Sequence, residues 1–162
     1  MQKSIEINTK GLDALIKALG KPPSVRVGIM GEKASAIHEV EPGAPQPKKP
    51  LTNAQVGAFH ELALDESRQR SFLRVPIMEH IDTELKKAGL LGRENIKNLI
   101  ATKSLFQIME LVGFVAEGIV MEAFSTGGFG KWKPSIMKYK KNKQTLLETT
   151  QLAQSVTSQV QE

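Results

Sequence analysis

Leu105, Ile108, Val112, Val115 and Ile119 recur every three or four residues through a stretch with no proline, and the Gly127–Gly128 pair follows it. This spacing sets five apolar side chains on one helix face and predicts a helix over about 104–124, the longest in the chain. A helix of that length needs partners along its apolar face. Its length and apolarity also raise the question of a membrane span. Glu110, Glu117 and Glu122 fall within the stretch, and each would cost kilocalories in hydrocarbon, so no membrane partner is expected. Glu110 and Glu117 share one side of the helix, about 10 Å apart along its axis, which does not suit paired acid and base work at one bond. Gly113, Ala116 and Gly118 lie beside them and leave room for another helix to come close. The two carboxylates read either as a solvated stripe or as groups that form salt bridges with a partner.

The elements before this helix follow from simpler signals. Residues 4–7 read as a short strand, and Val25, Val27 and Ile29 alternate with Arg26 and Gly28 as a half-buried strand does. Between them Leu12, Leu15, Ile16 and Leu19 predict an amphipathic helix stopped by Gly20 and Pro22–Pro23. A helical connection of this kind allows the two strands to be parallel neighbours. Residues 41–50 hold four prolines and no apolar periodicity, which gives a mobile surface loop or an arm that orders against a neighbour.

Thr52 and Gln55 have capping-box spacing, with Leu51 and Val56 at the staple positions, so a helix begins at Asn53 and places Val56, Phe59 and Ala63 on one face. Leu73, Ile77, Ile81 and Leu85, with Met78 widening the stripe, predict a second helix starting near Leu73 or Arg74 and ending near Ala88 before a C-cap Gly89. Only a weak turn is expected around Ile96 and Leu99. After Leu146 and Leu147, the spacing of Leu152, Val156 and Val160 predicts a short helical turn and then a strand. The fold class is α+β: one domain with a small sheet of N-terminal strands and a C-terminal strand, packed against three or four helices. Leu51, Val56, Phe59, Leu73, Ile77, Ile81, Leu105, Ile108, Val112, Val115 and Ile119 form the expected core.

Composition narrows the chemistry. The chain has 162 residues, enough for one domain with a real core, and no cysteine, which removes disulfides, thiol catalysis and cysteine-based zinc sites. No apolar run follows the first residues, so the chain is expected to be made as a soluble cytosolic protein. The net charge of +5 is local, because residues 131–143 hold six lysines and no acid while the rest is nearly balanced. A single Trp and a single Tyr, both in that stretch, offer little surface for stacking bases. The sequence GGFGK lacks phosphate-loop spacing, since Gly130–Lys131 is followed by Trp132. His60–Glu61 suggests a zinc protease helix, but the second histidine position is Leu64, so no metal site or cofactor is expected. His60 reads as a hydrogen-bonded structural histidine at a helix end.

Five segments taken together, 25–28, 53–61, 70–74, 132–134 and 146–156, resemble the bacteriophage virion-morphogenesis proteins that complete tails and join them to heads. Those proteins carry a VxVG-like strand, an NAxxAxxHExG helix, a PFLRP-like helix entry, a tryptophan-proline loop with lysines and an LLxTGxLxxSI ending, in this order. The chain departs from the pattern at Ala63, at Ser71 before Phe72, at Pro76 where the helix proline is displaced, and at Thr150 in place of glycine. Threonine tolerates positive φ poorly, so the departure at Thr150 bears on whether a tight turn forms there.

The resemblance implies a non-enzymatic subunit of a closed ring, of about six copies, in the virion neck. Its partners would be its own copies, a head connector or portal-adaptor protein, and tail-terminator or tail-tube proteins, with DNA passing nearby unbound. The candidate interface residues are Arg70, Arg74, Lys131, Lys133, Lys140 and Lys141 on a basic edge, with Glu110 and Glu117 on an acidic one. The alternatives are a tail-terminator ring, a basic DNA-binding protein, and an enzyme resting on His60–Glu61 alone.

Overall fold

The computed structural model describes residues 23–40, 46–62, 70–126 and 150–161. The expected strand at 4–7, the helix carrying Leu12 to Leu19 and its crossover pairing, the first half of the proline-rich segment, and the basic loop with its four candidate lysines lie outside the described residues.

Strand β1, Ser24–Ile29, pairs antiparallel with β2, Val156–Gln161, so that Val25 faces Val160, Val27 faces Ser158 and Ile29 faces Val156. Among the described residues these two strands, one early and one at the C-terminal end, make up the sheet. Period-two alternation places Val25, Val27 and Ile29 on the half-buried face, with Arg26 exposed.

Six helices complete the described fold: α1 (Gly31–Ser35), α2 (Asn53–Leu62), α3 (Arg74–Lys87), α4 (Arg93–Thr102), α5 (Leu105–Thr126) and α6 (Gln151–Gln154). Helix α5 packs on both strands and on α3, and α2 packs on β1, α1 and α6. No helix among the described residues is long and apolar enough to cross a membrane. The capping box expected at α2 forms, with the Thr52 N–H donating to Gln55 Oε1 at 2.9 Å and the Gln55 N–H to Thr52 Oγ1 at 3.3 Å. A second box starts α5, where Ser104 and Gln107 exchange the same pair of bonds at 3.0 and 3.2 Å. Helix α3 begins at Arg74 and stops before Gly89, whose φ of +69° is the C-terminal glycine conformation. The weak turn expected near Ile96 is a full helix, α4, entered from Gly92 at φ +101°.

The core is Phe72, Val120, Ala123, Phe124, Leu152, Ala153 and Val156, with Val27, Ile29, Val56, Leu73 and Ile77 packed against it. Phe72 and Phe124 sit 5.1 Å apart between ring centroids. This corrects the expected core in two places. Leu51 and Phe59 are 43% and 55% exposed, and the buried face of α5 is Gly113, Ala116, Ile119, Val120, Ala123 and Phe124 rather than the stripe through Leu105, Ile108, Val112 and Val115, which is half-buried. Small residues set both faces. A Cβ on Gly113 would fall 2.9 Å from Ser158 Cβ and 3.4 Å from Val25 Cγ1, and one on Gly57 would overlap Ile29 Cδ1. The sheet therefore approaches the helices where glycine leaves space, and counting large apolar residues overlooks that.

Thr150 enters α6 at φ 55°, the one positive value among the described non-glycine residues. The tight turn thus forms without glycine. It positions Gln151, whose amide donates to Ile37 O at 2.8 Å and accepts the Glu39 N–H at 2.7 Å, tying the C-terminal unit to the segment after α1.

Candidate functional site

The buried residues of α2 are Asn53, Gly57 and Glu61, spaced i, i+4, i+8, so this helix turns a polar and small stripe inward. Buried polar groups must be hydrogen-bonded, and these are. Asn53 Nδ2 donates to Lys33 O at 3.0 Å, which leaves Oδ1 facing His38 Nδ1 at 2.8 Å; that ring nitrogen carries the proton. The Asn53 N–H donates to Ala36 O at 2.9 Å. One side chain and its own backbone thus lock α1 and the segment after it onto α2.

Glu61 does the same for α3. The first turn of any α-helix has N–H groups with no intrahelical acceptor. Here the Leu73 N–H donates to Glu61 Oε2 at 3.0 Å, the Arg74 N–H to Glu61 Oε1 at 3.1 Å, and the Val75 N–H to Ser71 Oγ at 3.2 Å, while Pro76 has no N–H to place. Ile77 then makes the first regular bond, to Leu73 O at 3.3 Å. Ser71 Oγ also donates to Glu61 Oε1 at 2.7 Å. A buried carboxylate at the N-terminus of a helix is further favoured by the helix dipole. The acid of the His60–Glu61 pair is therefore a helix cap. No group of three His, Cys, Asp or Glu side chains among the described residues is placed to hold a metal ion.

The candidate interface residues separate. Arg70 is 4% exposed and its N–H donates to His60 O at 2.6 Å, so it is an interior residue and not part of a basic edge. The burial follows from the chain turning inward at Phe72, which is fully buried two residues later. Arg74 keeps 63% of its side chain exposed, with Nε 4.0 Å from Glu61 Oε1. Its acidic neighbour among the described residues is thus Glu61. Glu117 is half-buried and accepts the backbone N–H of Ser158 on β2, which removes it from both a solvated stripe and a partner-facing one. Glu122 lies near Lys87, whose ammonium is held above its ordinary pKa by the hydrogen bond it donates to Glu84, then by the charge of Glu84, and least by Glu122. Glu110 alone is exposed with no hydrogen bond or ion pair to the described residues. Lys131, Lys133, Lys140 and Lys141 lie outside them.

The surface features that sequence reasoning missed are apolar. On α5, Phe106, Phe114 and Met121 are 41%, 64% and 44% exposed, and on α4 Ile96 and Ile100 are 40% and 65% exposed. Phe114 and Met121 sit seven residues apart beside Gly118, over which none of the described residues lies within 4 Å. A signal for this face was present, because Phe106, Glu110, Phe114 and Met121 recur at intervals of four and seven residues and so share one side of α5.

No protein-family model, curated protein or solved structure matches the chain.

Proposed function

We propose that the chain is a structural, non-catalytic subunit of the neck of a tailed bacteriophage, a tail-completion or head-tail joining protein that forms a closed ring with its own copies. The observation that carries this reading is the outward face of α5, where Phe106, Phe114 and Met121 lie open on a helix whose charged residues are all acidic. A row of large apolar side chains at the surface marks a face that another protein covers. A ring needs such a face on one flank of each subunit and a complementary one on the other. The ordered sequence segments support the same reading. The polar centre of the most distinctive one, Asn53 and Glu61, consists of hydrogen-bond clamps inside the subunit, as suits a rigid building part.

The partners in this reading are copies of the chain, a head connector or portal-adaptor protein on one side, and tail-terminator or tail-tube proteins on the other. The test is to interrupt the gene in its phage and inspect the particles by electron microscopy. A neck subunit predicts DNA-filled heads and full-length tails that remain unjoined. Tails of uncontrolled length would assign the chain to the tail terminator, and normal infectious particles would overturn the proposal.

A further inference from the structure

Helix α4 buries none of its residues and packs closely on no other helix or strand among the described residues. A ten-residue helix is marginal in water without tertiary support. It is nevertheless amphipathic: Arg93, Ile96, Lys97 and Ile100 follow the i, i+3, i+4, i+7 pattern that makes one stripe, both apolar and basic. Neither Arg93 nor Lys97 has a hydrogen bond or ion pair to the described residues.

The outward face of α5 is its complement. It presents Phe106, Phe114 and Met121 with Glu110 between the two phenylalanines, and α5 contains no lysine or arginine. Of its three glutamates, Glu117 is bonded to Ser158 and Glu122 lies near Lys87, so Glu110 is left to meet a cation from outside. The two stripes belong to one chain, joined by Lys103 and Ser104, yet α4 and α5 do not pack closely on each other.

We propose that α4 of one copy docks on the outward face of α5 in the next, with Ile96 and Ile100 against Phe106 and Phe114, and Arg93 and Lys97 beside Glu110. This rests on the ring reading and deepens it by naming the contact. The contact is heterologous, since one copy offers α4 and the other α5, and repetition of such a contact closes a ring. The opposite charges fix register and disfavour α4 against α4 or α5 against α5.

The absence of cysteine makes engineered cross-links clean. Purified Ile100→Cys and Phe114→Cys chains, oxidised as a mixture, should yield one disulfide-linked dimer containing both variants, while each oxidised alone should yield little. A chain carrying both substitutions should give a ladder of covalent oligomers ending at the copy number of the ring. As a second measurement, Lys97→Glu should raise the concentration for half-assembly about tenfold, and adding Glu110→Lys to the same chain should recover most of it. Both substitutions are at exposed positions, and unchanged circular dichroism would confirm folding. If the unmodified chain forms its ring but the mixture does not cross-link, or either variant links to itself as readily, this contact is wrong and the ring reading stands. If the unmodified chain never assembles, both fail.

Discussion

The carboxylate of Glu117 on α5 accepts the backbone N–H of Ser158 on β2, one helical turn beyond Gly113, against which the side chain of the same serine lies. A strand can lie this near a helix only if the facing residue has no side chain and the polar group it covers finds an acceptor. Both conditions are met within four residues of α5.

The two glycines of α5 should therefore respond in opposite ways to the same change. Gly118→Ala adds a methyl group in open space and improves helix propensity, so it should stabilise the fold by about 1 kcal/mol. Gly113→Ala drives a methyl group into Ser158, with an overpacking cost of about 1 to 3 kcal/mol that exceeds the propensity gain. Urea denaturation of the two variants checks the signs. A stabilised Gly113→Ala would mean that the helix and sheet are further apart than described.

Glu117 should behave as a folding residue. Glu117→Ala leaves the Ser158 N–H without its acceptor and should cost about 1 to 3 kcal/mol, while Glu117→Gln, which retains an acceptor oxygen, should lose less. Glu110→Ala, at an exposed position, should stay within about 0.5 kcal/mol of the unmodified chain. Melting curves of the three variants separate the two glutamates. Equal effects at positions 110 and 117 would contradict the assignment.

Glu61→Ala removes the acceptor for two backbone N–H groups and the Ser71 hydroxyl at the start of α3, and should cost about 3 kcal/mol. Glu61→Gln should cost less. A chelator should leave the melting temperature of the unmodified chain unmoved; a chelator-induced fall as large as that from Glu61→Ala would restore a metal reading of His60–Glu61.

Thr150 adopts φ 55° despite its branched Cβ. Left-handed backbone costs an L-residue about 1 to 2 kcal/mol, part of which glycine returns as greater unfolded-state freedom. Thr150→Gly should therefore stabilise by roughly 0.5 to 1 kcal/mol, read as a rise of about 1 to 4 °C in Tm. A fall in Tm would mean that the threonine side chain contributes more than the strain it brings.

The sequence made the backbone periods legible and left the faces less so. Val25, Val27 and Ile29 identified β1, Thr52 with Gln55 fixed the start of α2, and Pro76 with Gly89 bracketed α3, because each signal is local and acts through hydrogen bonds or allowed dihedrals. The inward face of α2 was missed because Asn53, Gly57 and Glu61 are held there by bonds to residues far along the chain, which no local period encodes. Arg70 and Glu117 look like surface charges for the same reason, and tertiary contacts decide otherwise. Helix α4 was underestimated because only Ile96, Leu99 and Ile100 carry its large apolar period, and none of them is buried in the described subunit.

The ring itself is tested most directly by the mass and symmetry of the purified chain, measured by native mass spectrometry and by electron microscopy of the same sample across a range of concentrations. A neck subunit predicts one dominant species whose mass is an integer multiple, about six, of 17.8 kDa, with cyclic symmetry and a central opening. A chain that remains at 17.8 kDa at every concentration, or forms open filaments or a simple two-fold dimer, would contradict it.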